Sequence, residues 1–351
     1  MASPAPTSLP SGPVLTAFSI PQPQSGPFAI AVGPDGNLWL TESVGEAIAR
    51  VTPNGNVREF PVPGSSQRGD LLFGITAGPA NTLWVADATA GSVLESTISG
   101  TMRSVFVGSP STSGPSDLVP DEFGNLWVAD GIANAIEQIV PSGGATSFPL
   151  PVRNAEPYWI VHADGDQWFT EEPGKIGRFD GAGHLVAEYP TPHYPNAKLL
   201  GITSTRGTIW YADAADDVIG EVDDGGMVRE FPLPAPSGER AGPFFLTGDD
   251  VGNVWFTYLS ESGDADAIGR LDGAGRVTML TLPFSAAPSG ITFGPDRNIW
   301  FLEAGSNQVV RMEHLSAFGT RNVTRVDERG RGDRRFVTSW LAEIRPRERA
   351  R

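Results

Sequence analysis

The chain has no cysteine, which excludes disulfides, thiolate metal sites and cysteine nucleophiles. No run of 18 apolar residues occurs, so no helical membrane span is expected. The opening MASPAPTSLPSGP has neither a basic n-region nor an apolar h-region, so no secretory signal is expected and the reading is cytoplasmic. There is no GxSxG elbow, no phosphate-binding P-loop and no HExxH. Basic charge is scarce: 25 Lys and Arg stand against 41 Asp and Glu, for a net charge of −16. From Arg321 onward the last 31 residues hold 10 of the basic and 5 of the acidic groups, so the rest carries 15 − 36 = −21. So acidic a body argues against nucleic acid or an anionic membrane as partner. The partner expected is a small-molecule ligand bound by a monomer.

What the sequence has in abundance is turn residues, with 42 Gly and 31 Pro. It also has a repeat. Trp39, Trp84, Trp127, Trp168, Trp210, Trp255 and Trp300 are spaced by 45, 43, 41, 42, 45 and 45 residues. The fullest copy of the surrounding text, Gly26 to Pro63, reads as four short strands: Phe28 to Val32, Leu38 to Glu42, Ile48 to Val51 and Val57 to Pro61. Four strands in about 40 to 45 residues is the signature of a propeller blade. The fold class predicted is all-β, a seven-bladed β-propeller of four-stranded antiparallel blades. The seventh unit ends at Met312 after three strands, and Val14 to Pro21 matches the text of a fourth strand. An N-terminal strand therefore closes the ring and removes an open edge. The domain reading is a lead-in over 1–13, the propeller over 14–314 and an Arg-rich extension over 315–351. Because the repeat stops at Met312, the extension is expected to add nothing to the core.

The repeated text P-x-G-I-T-x-G-P-D-G-x-L-W-F-T-E, followed by I-G-R-I-T-P-x-G, is matched by Gly26–Pro63, Glu156–Pro192 and Pro288–Met312. It resembles the streptogramin B lyases, the virginiamycin B lyase-like propellers, over about residues 14 to 314. That resemblance implies an elimination that opens a cyclic depsipeptide ester, with magnesium on the ester and a histidine removing the α-proton. The family's base His falls on Ser289, the Glu before it on Ala287, a second His on Phe244 and a further Glu on Ala304. None of these four positions keeps the family residue.

In a propeller of this topology the first strand begins, and the second ends, on one face of the disc. One ring around that mouth is Phe28, Phe73, Ser116, Tyr158, Leu200, Phe244 and Ser289. Mostly apolar with a few polar groups, it suits a small-molecule pocket; the alternative is that these side chains plug the channel. The second ring, three residues past each tryptophan, is acidic except at Tyr258. Glu303 and Glu171 are its candidate metal ligands, since carboxylates suit magnesium. The alternative is that each acid accepts hydrogen bonds from its own loop. Tyr258 breaks the pattern and is read as a ligand contact. The densest titratable cluster lies at blades 4 and 5. There Glu156, Tyr158 and His193 are the candidate catalytic groups, a His beside a carboxylate being suited to general-base chemistry; the alternative for His193 is an exposed loop histidine. The function expected is a divergent lyase-like propeller that binds, with or without transforming, a small cyclic or aromatic natural product. The competing expectation is a non-catalytic scaffold for a peptide or protein on the same face.

Overall fold

The structure is a computed structural model, and it describes residues 12–64, 69, 71–106, 111–140, 143–223, 225–234, 241–283, 285–319 and 324–326. The greater part of the expected lead-in and residues 327–351 of the extension lie outside the described residues.

Six antiparallel four-stranded sheets and one five-stranded sheet form seven blades. Blade 1 consists of Pro27–Val32, Leu38–Glu42, Ala47–Val51 and Val57–Pro61, within one residue of the strands read from the sequence. The tryptophan repeats because it does the same job in several blades. Its indole N–H donates to the aspartate of the preceding turn: Trp39 to Asp35 (3.0 Å), Trp127 to Asp121 (3.0 Å), Trp255 to Asp249 (2.9 Å) and Trp300 to Asp296 (3.0 Å). The turn asparagine bonds the same carboxylate, as Asn125 does to Asp121 (2.7 Å). The Asp, Asn and Trp of the repeat thus form one hydrogen-bonded corner, which is turn chemistry and not a cation loop.

In four blades the tryptophan also packs on an aromatic ring from the fourth strand, whereas blade 2 has Val105 at that register. Trp39 stacks on Phe60 at 5.3 Å, Trp127 on Phe148 at 5.5 Å and Trp168 on Tyr189 at 5.7 Å. In blade 7 the partner comes from the N-terminus: Phe18 stacks on Trp300 at 5.7 Å. Val14–Ser19 pairs antiparallel with Gln308–Glu313, in register from Val14↔Glu313 to Ser19↔Gln308. The ring is closed by the N-terminal strand, as expected. Phe18 also reaches the next blade, because it occupies the space that a Cβ on Gly55 would need, and Gly55 has φ +82°. Only glycine relaxes at that φ.

Blade 6 lacks the aromatic; its fourth strand, Val277–Thr281, carries Leu280 at the corresponding register. The missing ring is supplied from beyond the repeat. Phe318 is buried edge-on against Trp255 at 4.8 Å, and Arg270 lies over both rings while donating to the Leu315 carbonyl. Thr324–Val326 then pairs parallel with the N-terminal strand. The expectation that nothing after Met312 enters the core is therefore corrected: the repeat ends there, but the packing does not. Phe318→Ala should lower stability by roughly 2–4 kcal/mol, the worth of one buried aromatic and its ring contact. Urea unfolding would read it, and an unchanged midpoint would show that the ring is idle.

Candidate functional site

Phe28 belongs to blade 1, Trp159 to blade 4, and Phe244 and Phe245 to blade 6. Blades so far apart can touch only at the axis of the ring, and these four side chains do. Phe28 lies 6.0 Å from Trp159 and 5.1 Å from Phe245, Trp159 lies 4.6 Å from Phe245, and Phe244 lies 6.1 Å from Phe28. All four are buried. Phe73 and Tyr158, half-buried and 6.4 Å apart, extend the cluster outward. The centre of the channel is filled by aromatic rings.

Trp159 and Phe245 were missed in the sequence. Each follows an inner-ring residue, where most blades have Gly or Ala: Ala29, Gly74, Gly201 and Gly290. A Cβ on Gly201 would come within 2.6 Å of the Phe244 carbonyl, and one on Gly290 within 2.7 Å of the Phe28 carbonyl. The readable signal was two large rings at a position that the packing of neighbouring inner strands keeps small. Asp117 is the third departure there. Its carboxylate accepts the Ile160 N–H at 3.1 Å, and burial pushes it up to about 7.

The two serines of the inner ring stitch blades together. Ser289 donates to the Pro27 carbonyl (2.8 Å), joining blade 7 to blade 1, and Ser116 donates to the Tyr158 carbonyl (2.7 Å). Leu200 is buried. Tyr258 is fully buried with its hydroxyl on Asp217 (2.8 Å), so it does not face a ligand, contrary to its reading from the sequence.

The acidic ring serves the blades. Asp130 takes the Ser113 hydroxyl and the N–H groups of Gly114 (2.8 Å) and Ala133 (2.8 Å). Asp87 takes the Ala90 N–H (3.0 Å), and Glu303 takes the Ser306 hydroxyl (2.8 Å). Glu171 lies over Gly177, close to Glu188, and in a different blade from Glu303. Among the described residues no group of three or more His, Cys, Asp or Glu could hold a metal ion. The residues at the positions matching the family's metal and base sites, Ser289, Ala287, Phe244 and Ala304, offer one hydroxyl and no carboxylate. They do not fit a magnesium ion.

His193 does not meet Glu156. Its Nδ1 lies 3.0 Å from Asp216 and its Nε2 3.0 Å from Glu230, whose other oxygen accepts from Tyr211 (2.9 Å). With a carboxylate at each ring nitrogen, neither is left to take a proton from a ligand, so the histidine clips its loop to blade 5. Tyr158 sits beside Asp117, and burial raises its hydroxyl well above the ordinary range. Glu156 is held at φ +43° with its N–H on Asn134 (3.1 Å).

Two buried carboxyls have a measurable consequence. Burial, helped by Glu59, pushes Glu42 up to about 8, and burial with Glu188 does the same to Glu171. Neither Glu42 oxygen has a hydrogen-bond partner, the Ser25 hydroxyl being directed at Asn307. The folded chain keeps such a carboxyl protonated up to about pH 8, whereas the unfolded chain ionises it near 4.5. Stability should therefore fall as pH rises between these values, by at most ~1.4 kcal/mol per pH unit for each group, and level off outside them. Glu42→Gln should match wild type at about pH 4.5 and exceed it at about pH 8. Coincident urea curves at the higher pH would refute this.

The sequence pattern of the virginiamycin B lyase family matches residues 9–193 and 161–329. The chain belongs to the virginiamycin B lyase family. It is 27% identical over 215 residues to virginiamycin B lyase of Nocardia farcinica (strain IFM 10152), covering 59% of this chain and 68% of that protein. A 49-residue match to virginiamycin B lyase of Bordetella parapertussis is 43% identical but covers only 16% of that protein. Among solved structures, a streptogramin B lyase superposes with a TM-score of 0.78 at 25% identity, covering 88% of this chain and 99% of its own. A catalytically inactive virginiamycin B lyase variant from Staphylococcus aureus, crystallised with quinupristin, gives 0.76 at 24% identity, covering 86% and 99%. At that identity the last likeness speaks for the fold.

Proposed function

We propose that this member of the virginiamycin B lyase family is a binding propeller that holds a small cyclic or aromatic natural product on the mouth face, without the family's ester-opening chemistry at the matching positions. The observation that carries this reading is the aromatic cluster on the axis. Phe28, Trp159, Phe244 and Phe245 pack on one another where the axis of the ring would otherwise open. Phe73 and Tyr158, half-buried at its edge, keep an aromatic wall within reach of a ligand. Aromatic faces are suited to flat or cyclic apolar bodies. The scaffold alternative shares this face and has no separate observation in its favour.

The test is binding. Purified protein titrated with quinupristin should show a rise in melting temperature that grows with ligand concentration, as mass action requires. Tyr158→Ala should weaken it about tenfold, the loss of one ring contact with its area. No shift at saturating quinupristin would count against the reading.

A further inference from the structure

The aromatic packing on the axis is one-sided. Phe28, Trp159, Phe244 and Phe245 are buried. Phe73, Asp117 and Tyr158, from blades 2, 3 and 4, stay half-buried beside them. The Phe73 ring lies 5.2 Å from Phe28 and 6.4 Å from Tyr158, and Tyr158 lies 5.4 Å from Trp159. The rings thus make a wall whose exposed side belongs to three successive blades.

Asp117 is the charge in that wall. At its position the other blades carry Ala29, Gly74, Gly201 and Gly290, or the rings of Trp159 and Phe245, so the repeat does not call for a carboxylate. It reaches the strands on both sides of its own. One oxygen accepts the Ile160 N–H of blade 4 (3.1 Å), and the other lies over Gly74 of blade 2, where a Cβ would come within 2.3 Å of it. A side chain of blade 3 that meets blades 2 and 4 together is directed at the axis. Backbone N–H groups are its partners; among the described residues no Lys, Arg or His pairs with it. A carboxylate set among apolar rings is costly until a cation meets it. A second group on the same wall is left open. The indole N–H of Trp159 is buried and has no hydrogen-bond acceptor among the described residues, although a buried tryptophan usually finds one.

We propose that Phe73, Asp117 and Tyr158 form a subsite for an organic cation, with its charged nitrogen between the two rings, Asp117 as counter-ion and the Trp159 N–H given to an acceptor on the same molecule. Aromatic faces hold quaternary ammonium groups in this way. A metal ion would need several converging oxygens, and one carboxylate among rings does not supply them. Burial pushes Asp117 up to about 7, while Tyr158, the titratable side chain beside it, is raised well above its ordinary range and stays neutral. The subsite rests on the reading of this face as ligand-binding and adds the ligand's charge.

The test uses the full chain with benzoylcholine, a permanent cation that carries a ring and an ester carbonyl. Its neutral analogue is 3,3-dimethylbutyl benzoate, in which carbon replaces the charged nitrogen. Calorimetry should show benzoylcholine binding about tenfold more tightly, or better. Asp117→Asn keeps an acceptor for the Ile160 N–H and removes the charge. It should hold or raise the melting temperature and lose that preference. Phe73→Leu should weaken the cation several-fold. Because the ligand's charge is fixed, its affinity should rise from about pH 5.5 to about pH 8.5 as Asp117 ionises, and stay flat in Asp117→Asn. Equal binding of the two esters, an unchanged preference in Asp117→Asn, or a flat profile in the wild type would overturn the proposal. Should Asp117→Asn fail to fold, the ester pair and the wild-type pH profile decide. Quinupristin, titrated alongside, separates the two readings. Its binding without the cation preference would sink this inference and leave the face reading standing. The cation preference without quinupristin binding would do the reverse.

Discussion

Deleting residues 1–21 is expected to abolish cooperative folding. The deletion removes the entire fourth strand of blade 7, with the buried side chains of Leu15, Ala17 and Ile20 and the ring of Phe18 that covers Trp300. Burial of a large apolar side chain is worth about 1.5–3 kcal/mol, so Leu15, Phe18 and Ile20 alone approach the 5–15 kcal/mol by which a whole domain is stable. The loss spreads further. Asn307 holds the strand's exit through the carbonyls of Ile20 (3.2 Å) and Gln22 (2.8 Å), and Arg311 lies over both Phe18 and Trp300. Thr324–Val326 would lose the strand it pairs with. What remains is a ring with an open, apolar strand edge, a template for aggregation. Size-exclusion chromatography and thermal melts would measure this. A peptide spanning residues 12–22, added in trans, should restore a cooperative melt by refilling the edge. A deleted protein that stays monomeric with an unchanged melt would overturn the account of closure.

The second large effect is chemical. With magnesium supplied, the protein should open quinupristin no faster than about 10⁻²–10⁻⁴ of the rate of a member with its base in place, the usual worth of a positioned general base. The resemblance assigns that base to Ser289, whose hydroxyl is buried and donates to the Pro27 carbonyl. A serine without an activating partner does not remove an α-proton near neutral pH. The companion positions are Ala287, its N–H bonded to Asp266 (2.8 Å), Phe244 in the aromatic cluster, and Ala304. Linearisation would be followed by mass spectrometry. Turnover near that of an intact member would refute the prediction.

The number of blades, the strands and the closure were legible because they repeat. The corner made by Asp121, Asn125 and Trp127 is local, with the aspartate four or six residues before the tryptophan in the copies that carry it. Phe18 could be matched to Phe60 by text because both do one job against a tryptophan. Phe318 could not be matched. It replaces the aromatic absent at Leu280 from a segment with no repeat text, and only the fold brings it to Trp255. The mouth was legible as a list of positions, since the strand order fixes which residues start at one face. What those residues do there depended on partners from other blades. Phe28, Trp159 and Phe245 lie far apart in sequence and meet only when the ring closes on its axis, which turns an expected pocket wall into a packed centre. His193 was read as a group of the mouth face beside Glu156, but the carboxylates it meets, Asp216 and Glu230, come from a turn and an outer strand of blade 5. The sequence by itself determined the periodic part of this protein, because a hydrogen-bonded corner or a stacked ring is specified by residues close along the chain. The tertiary structure alone decided the centre of the mouth, because burial there is set by side chains that closure of the ring brings together.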